Sequence, residues 1–256
     1  MPIPLVIHRC RAHWLVTLLL AAFWLQPVQA AEPTEYRVGV EQVDYYPIYS
    51  AVPPDNQYRG FARDLLDLFA ARENLRFTYV VLPVRRLAHA YRAGQLDLVF
   101  PDNPRWEAEQ KPADIAYSQP VLQFQDAMLV LPQRRGQPRE RFHRLGFVRG
   151  FTPWKFQDDI AAGRVVIQEA PNPEGLIHMA LAGHIDAANM ALQVAHFHLK
   201  RQGQEHGLVV APTLLPLANS YYCLSSIRHP ELIRRFDAFL QREQQAVQAL
   251  KAKYEL

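Results

Sequence analysis

One short segment combines a carboxylate, an amide, a guanidinium and an indole. Asp102, Asn103, Arg105 and Trp106 follow the apolar run 96–100, which has the length and composition of a buried strand. Ligands of open parallel sheets lie beyond the carboxyl ends of the strands, so these side chains could ion-pair with, hydrogen-bond to and stack on a small polar ligand. The alternative is a capped Asp/Asn-Pro turn in which Trp106 only covers the core.

Two tyrosines follow the first predicted strand at the same edge of the sheet. Tyr45 and Tyr46 stand in a proline-rich loop, and aromatic faces bind planar or cationic ligands. The alternative is that both rings pack beneath Pro47 and Pro53. We include both tyrosines among the candidate ligand-binding residues.

Further candidates come from three other segments. Arg85 begins a helix after the second predicted strand, where a cation opposes the helix dipole, so binding of an anion would explain its position. The rest lie around the helix start expected at Thr152-Pro153, or after Asp186 at the edge expected to face the first half: Arg149, Gly150, Phe151, Thr152, Asn189 and Gln193. The two amide side chains suit a neutral, hydrogen-bonding part of a ligand.

Several other chemistries lack their motifs. The sequence has no Gly-x-Ser-x-Gly elbow, no zinc spacing of cysteine and histidine and no phosphate-binding loop. His196 and His198 are two residues apart, so a helix would point them to nearly opposite faces. Cys223 stands in an apolar stretch and is expected in the core. We expect no metal, no cofactor and no catalytic residue.

The N-terminal segment reads as a secretory signal peptide. Basic residues precede an apolar run at 15–25, and small residues before Ala31 suit cleavage after residue 30. Removal of Arg9 and Arg11 lowers the formal charge from +3 to +1, which favours neither nucleic acid nor a membrane surface as a partner. The one cysteine that remains cannot form an intramolecular disulfide.

The rest of the chain alternates between strand and helix patterns. Predicted strands are 36–40, 77–82, 96–100, 145–148, 165–168, 185–189 and 220–226, and predicted helices are 61–69, 85–93, 174–182, 192–201, 230–254 and one that begins at Thr152-Pro153. This order indicates a parallel α/β sheet covered by helices. The apolar segments 121–131 and 213–226 are expected to cross between two lobes as a hinge.

A nine-residue phrase occurs twice, 89 positions apart. His89 to Asp97 and His178 to Asp186 share His, Ala, Gly and Asp at equal spacing, and each predicts a helix that ends on glycine before a buried strand. Two lobes built on one plan would explain the repetition. Asp97 and Asp186 are expected to hold the turn backbone and not to contact a ligand.

Seven short segments together resemble a known family. They are 36–40, 58–65, 93–97 (Ala-Gly-Gln-Leu-Asp), 115–120 (Ile-Ala-Tyr-Ser-Gln-Pro), 145–152, 182–187 and 249–254. In this order they resemble the periplasmic solute-binding proteins of the polar amino acid uptake type, family 3. The resemblance implies a two-lobed type II periplasmic-binding (Venus-flytrap) fold, with residues 31–125 and 217–256 in lobe 1, residues 126–216 in lobe 2, and two hinge crossings.

The resemblance also implies how a solute would be held. Relatives clamp a carboxylate with an arginine before a Phe/Tyr-Ser pair; here the pair is Tyr117-Ser118, and Lys111 stands seven residues before the serine. The backbone turn that presents amides to an anion corresponds to Gly150-Phe151-Thr152. The acidic residue that binds the α-ammonium would stand five after Asp186, where this chain has Ala191. The ammonium pocket of the family is therefore missing, which argues against an ordinary α-amino acid as the ligand.

These observations predict a monomeric, periplasmic, non-enzymatic binding protein. It would capture a small polar, carboxylate-bearing solute by closure of two lobes and deliver it to an inner-membrane ABC permease. One alternative is an enzyme resembling cyclohexadienyl dehydratases on the same fold, for which Asp102 is the one nominee as general acid or base. Another is a sensor that docks on a membrane receptor.

Overall fold

A computed structural model describes residues 33–215 and 218–256, with the side chain of Ala218 excepted. The predicted signal peptide and its cleavage site lie outside these residues. No helix in the described part of the chain is long and apolar enough to cross a membrane.

Twelve strands occur in the described residues, and most follow segments rich in β-branched and aromatic side chains. They are β1 Thr34–Glu41, β2 Asp44–Tyr45, β3 Tyr49–Ser50, β4 Leu75–Leu82, β5 Leu98–Asp102, β6 Ala116–Tyr117, β7 Leu122–Val130, β8 Arg144–Val148, β9 Val166–Ala170, β10 Ala187–Ala191, β11 Val209–Val210 and β12 Ala218–Ser226. β2 and β3 form a small hairpin within the segment expected to be a loop.

Seven α-helices occur in the same residues. They are α1 Phe61–Arg72, α2 Val84–Arg92, α3 Gln157–Ala161, α4 Pro173–Leu181, α5 Leu192–Arg201, α6 Pro230–Arg242 and α7 Gln244–Lys253. Short 3-10 turns cover Ala108–Gln110, Pro132–Arg134, Arg139–Arg141 and Trp154–Phe156. The cap of α4 shows why a helix begins there: the Asn172 side chain accepts a hydrogen bond from the amide of Gly175 at 2.8 Å, and proline occupies the first turn.

Two predicted helices differ from those observed. The helix expected to open at Thr152-Pro153 is instead a 3-10 turn at Trp154–Phe156 followed by the five-residue α3. The single C-terminal helix expected over 230–254 is two helices, because the chain turns at Glu243. That turn lets α6 pack Phe236 against Phe69 of α1, with ring centroids 4.9 Å apart, while Tyr254, after α7, reaches Asp64 at the start of α1.

The strands form one curled sheet with two halves. Its order is β4-β1-β5-β12-β7-β10-β8-β9, with β6 beside β12 and β11 beside β7. β1 pairs in parallel with β4 and β5, and β8 pairs in parallel with β9 and β10. The antiparallel strands β7 and β12 lie between these halves. The two apolar segments expected to cross between lobes are therefore the central neighbours of the sheet.

Helices cover both faces of the first half. In β5, Leu98 and Phe100 join the larger core cluster with α1, whereas Val99 joins a smaller cluster with Leu87 of α2. Because successive strand residues point to opposite faces, α1 and α2 lie on opposite sides of this half. The carboxyl ends of β1 and β5 stay open between them.

Candidate functional site

A cavity lies where the two halves of the sheet meet, and both halves line it. It encloses about 1150 Å³, part of which is open to solvent. The first half contributes residues from the ends of β1 and β5 and from the β2–β3 hairpin, and the second contributes the segment 150–156 and Asn189 of β10. The crossing strands β7 and β12 also contribute, so one wall of the cavity is formed by the strands that join the two halves.

Asp102 and Lys111 form a buried ion pair on the first side of the cavity. The Lys111 Nζ lies 2.5 Å from Asp102 Oδ1 and donates to the carbonyl of Asn103 at 2.7 Å. The other carboxylate oxygen accepts a hydrogen bond from Ser225 Oγ at 2.6 Å. An ammonium has three donors, so Lys111 keeps one that can face a ligand.

A second ion pair lies on the opposite side. Lys155 Nζ donates to Asp126 Oδ2 at 2.9 Å, and Asn189 Nδ2 donates to Asp126 Oδ1 at 2.9 Å. The Lys155 ammonium also lies 4.9 Å from the centre of the Trp154 ring, a cation–π contact. This half therefore offers a partly buried ammonium and an amide at the cavity.

Aromatic rings form the rest of the wall. Phe124 and Tyr222 stack with centroids 4.2 Å apart, and Trp106 meets Tyr222 edge-on at 5.8 Å. Tyr45 stacks on Tyr49 at 5.3 Å. A small solute with an apolar or planar part would be desolvated between these faces.

Glu41 ends β1 at the base of the cavity and is 5 % exposed. The hydroxyl of Tyr49 donates to its Oε2. Burial raises the pKa of Glu41 to about 7, with a further contribution from the charge of Asp102, while the Tyr49 hydrogen bond opposes the shift. This carboxyl group is therefore able to exchange its proton near neutral pH.

Side chains join the two halves across the cavity. The Ala191 amide donates to the Tyr45 hydroxyl at 2.9 Å, and Phe151 lies 5.3 Å from the Tyr45 ring. At the rim, Arg85 pairs with Glu169 at 2.8 Å and the Arg105 guanidinium lies over Trp154 at 5.6 Å. Such contacts define a closed arrangement, because each needs residues from both halves.

Of the fourteen candidates from the sequence, seven line the cavity. They are Tyr45, Asp102, Trp106, Gly150, Phe151, Thr152 and Asn189. Gly150 has a φ of +88°, and a Cβ there would lie 2.9 Å from Cβ of Val84, so the close approach of the two halves favours glycine.

The other seven candidates are not among the residues that line the cavity, and they make other contacts. Tyr46 packs on Phe197, and Arg85 and Arg149 both face Glu169. Asn103 donates to the Tyr221 carbonyl and accepts from the Arg105 amide. Arg105 covers Trp154, Tyr117 lies under the Lys111 ammonium, and the Oε1 of Gln193 is buried without a partner among the described residues.

Several cavity residues were not among the candidates. They are Glu41, Tyr49, Lys111, Phe124, Asp126, Trp154, Lys155 and Tyr222. Glu41 could have been found by the rule that placed Asp102, since it ends a neighbouring parallel strand. Asp126 has no such local signal. Its strand places it directly opposite Ala191, next to the position where the family resemblance had implied an acid.

His196 is exposed and His198 is buried, as expected for neighbours two apart on α5. Within the described ranges, no three side chains of histidine, cysteine, aspartate or glutamate are arranged to hold a metal ion. Asp97 and Asp186 hold turn backbone as predicted, accepting hydrogen bonds from the amides of Arg37 and Arg144.

Comparison with known proteins agrees with the fold. The profile of the bacterial extracellular solute-binding proteins, family 3, matches residues 36–256. No curated protein sequence matches the chain.

Solved structures share the fold at low sequence identity. A Streptococcus pneumoniae ABC uptake transporter substrate-binding protein with bound histidine gives a TM-score of 0.71 at 13% identity, covering 86% of this chain and 92% of the other. An ancestral amino acid-binding protein, a precursor of cyclohexadienyl dehydratase, gives 0.67 at 18%, covering 86% and 95%. A histidine kinase sensor domain similar to periplasmic binding proteins gives 0.67 at 17%, covering 87% and 96%.

Proposed function

The chain belongs to the bacterial extracellular solute-binding proteins, family 3, and from this premise we propose that it captures a small, polar, amino-acid-like solute in the cavity between its halves. The observation that carries the proposal is the cavity itself. Each half presents an ammonium paired with a carboxylate, Lys111 with Asp102 and Lys155 with Asp126, and aromatic rings lie between them. Few precisely placed polar groups among apolar walls are typical of small-molecule sites.

The two lysines support a carboxylate on the solute. Lys111 has a donor left after its bonds to Asp102 and Asn103, and Lys155 has donors left after its bond to Asp126. A lysine makes a point contact and lacks the two-pronged geometry of arginine. The solute carboxylate is therefore held by two ammonium groups from opposite halves in this proposal, in place of one arginine.

Asp126 supports an ammonium on the same solute. It lies across the strand pair from Ala191, the position at which the resemblance places an acidic residue. The carboxylate of Asp126 on β7 therefore stands beside the position where that acid is missing. Asn189 and Lys155 each donate to this carboxylate and orient it. Two lysines for a carboxylate and Asp126 for an ammonium together suit a zwitterionic solute.

Closure follows from the division of these groups between the halves. A solute that touches Lys111 and Lys155 at once stabilises only the arrangement in which both face the cavity. We propose residues 31–125 with 217–256 as lobe 1 and 126–216 as lobe 2, with β7 and β12 as the hinge. The closed protein then delivers its solute to an ABC permease, after export by the predicted signal peptide to the periplasm.

The geometry disfavours the dehydratase alternative. Asp102, its only nominee, already accepts hydrogen bonds from Lys111, Ser225 and the Asn103 amide. A carboxylate held by three donors is a poor proton carrier, because losing any of them to reach a substrate costs free energy.

Thermal unfolding with a panel of amino acids, amines, organic acids and a cyclohexadienyl acid tests the function. A solute present at 100 times its dissociation constant should stabilise the protein by about 2.7 kcal/mol, a shift of several degrees. Trp106→Leu should remove most of that shift, and the exposed Glu109→Gln, outside the cavity, should not. Conversion of the cyclohexadienyl acid to product, or no shift with any compound, would contradict the proposal.

A further inference from the structure

The β2–β3 hairpin of the first half lies against α5 of the second half. Tyr46 of the hairpin packs on Phe197 of α5 with ring centroids 4.6 Å apart, and Arg201 Nη1 lies 3.4 Å from Asp44 Oδ2. The hydrogen bond between the Tyr45 hydroxyl and the first residue before α5 joins the same two elements. These contacts lie outside β7 and β12, the strands that join the halves, so separation of the halves would break them.

A buried histidine of α5 stands beside this contact. His198 is 0 % exposed, and neither of its ring nitrogens has a hydrogen-bond partner in the described part of the chain. The same holds for both polar atoms of the Gln202 side chain, one helical turn further on. From the hairpin, the backbone and the carboxylate of Asp44 face the His198 ring. A ring buried in this way is favoured in its neutral form, because a proton would place a poorly solvated charge there.

Burial lowers the pKa of His198, and three charged side chains modify this effect. Asp44 on β2 and Glu174 on α4 favour the protonated ring, whereas Arg201 on α5 opposes it. Arg201 donates to Glu174 at 2.9 Å and also lies near Asp44, so it offsets both carboxylates. Of the strands packed on α5, β10 has no titratable side chain, and the Asp126 carboxylate of β7 is paired at the cavity. Burial is therefore the larger effect.

We propose that His198 is a proton-sensitive contact between the halves: the neutral ring allows α5 and the hairpin to pack together, and protonation of the ring favours their separation and the opening of the cavity. This inference rests on the proposed function, because it concerns the closure that would hold the solute. A proton that binds better to the open arrangement competes with closure, so acidification releases the solute.

The direction of the pH dependence follows from the two states of His198. Exposed to solvent in the open arrangement, the ring should titrate near the ordinary histidine value of about 6.5. In the closed arrangement its pKa is lower because of burial. Solute affinity should therefore be nearly constant above neutral pH and fall by up to about tenfold between pH 7.5 and pH 5.5. At pH 6.5, binding should release about half a proton from His198.

Glu41 also titrates near neutral pH, so the test compares wild type with a variant that lacks only the titrating ring. His198→Gln keeps a polar side chain of similar volume that takes up no proton in this range. The panel of amino acids, amines and organic acids is first screened by thermal unfolding at pH 7.5. The compound with the largest shift is then titrated calorimetrically into both proteins at pH 5.5, 6.5 and 7.5, in two buffers of different ionisation enthalpy.

The wild type should lose up to about tenfold more affinity than His198→Gln between pH 7.5 and pH 5.5, and should release about half a proton more at pH 6.5. A purely structural role of His198 would change affinity equally at all three pH values. His196→Gln removes an exposed histidine from the same helix and should behave as wild type. The thermal midpoint of each unliganded variant shows whether it is folded, and His198→Leu replaces His198→Gln if the glutamine variant is not.

Each result decides one question. The same pH profile, or the same proton release, in wild type and in the His198 variant would overturn the role of His198 and leave solute capture standing. If no compound of the panel binds at all, the proposed function fails, and the role of His198 in closure fails with it.

Discussion

At the scale of single residues, two aspartates bind backbone amides in equivalent positions of the two halves. Asp97 accepts a hydrogen bond from the Arg37 amide, and Asp186 accepts from the amides of His143 and Arg144. Both follow a glycine that ends a helix and both stand outside the cavity, so their identity is explained by the turn that precedes each buried strand.

We expect Asp186→Asn to destabilise the protein by about 2 kcal/mol, since Asp186 also receives charge-assisted hydrogen bonds from Arg134 and Arg144 at 2.8 and 3.0 Å. These donors hold the pKa of Asp186 well below its usual range. The contribution of the Asp186 carboxylate to the free energy of unfolding is therefore fully present above the pKa of aspartate in the unfolded chain, about 4. It is lost as the pH falls through the lower pKa that Asp186 has in the folded protein.

Urea unfolding at pH 7 and at pH 2.5 measures this contribution. The difference between wild type and Asp186→Asn should be largest at pH 7 and smaller at pH 2.5. The exposed Asp158→Asn serves as control, with little effect at either pH. A difference independent of pH would show that the lost contact is not ionic.

At the scale of elements, β1–α2–β5 and β8–α4–β10 repeat one packing arrangement. A glycine in the first strand, Gly39 or Gly146, lies beneath a leucine of the helix and the apolar residue before the next strand. These partners, Leu87 with Leu96 and Leu176 with Ile185, are spaced as in the repeated phrase. The helices can approach their strands closely because no Cβ stands between them.

Adding a methyl group at either glycine should therefore be costly. In Gly39→Ala the new Cβ would lie 2.6 Å from a Cδ1 of both Leu87 and Leu96, and Gly146→Ala meets Leu176 and Ile185 as closely. We expect a loss of about 1–3 kcal/mol for each, read from denaturant unfolding. In a Leu176→Ala background the cost of Gly146→Ala should fall, because space has been made; strict additivity would refute the steric account.

At the scale of the whole molecule, a few side-chain contacts link the two halves that β7 and β12 join. The Tyr45 hydroxyl is one of them, because it accepts from the Ala191 amide while its ring meets Phe151. These contacts lie beside the cavity, so a solute bound there as proposed would stabilise the same arrangement.

Tyr45→Phe should weaken solute binding by roughly five- to tenfold, since the Ala191 amide loses its acceptor only in the closed form. Calorimetry with the solute identified by thermal unfolding measures the change. Tyr36→Phe is a matched control, because Tyr36 packs against Phe77 and His229 away from the cavity. Unchanged affinity in Tyr45→Phe would mean that this contact does not contribute to closure.

Local signals in the sequence predicted much of the fold. Helix periodicity, β-branched runs and the glycines that end α2 and α4 placed most strands and helices within a few residues, because these preferences depend on neighbours along the chain. The same signals missed the break at Glu243, which is set by packing of α6 and α7 on α1 and not by any helix-breaking residue.

The sequence by itself determined the family resemblance, the two-part α/β plan and seven residues of the cavity, which are half of its fourteen candidates and which end or follow predicted buried strands. Only the tertiary structure decided which charges meet: Lys111 with Asp102, Lys155 with Asp126, and Glu41 with no cation. The reason is physical. A strand or turn forms from neighbouring residues, whereas a pair such as Asp126 and Lys155 depends on how strands from distant segments register and how far two halves close.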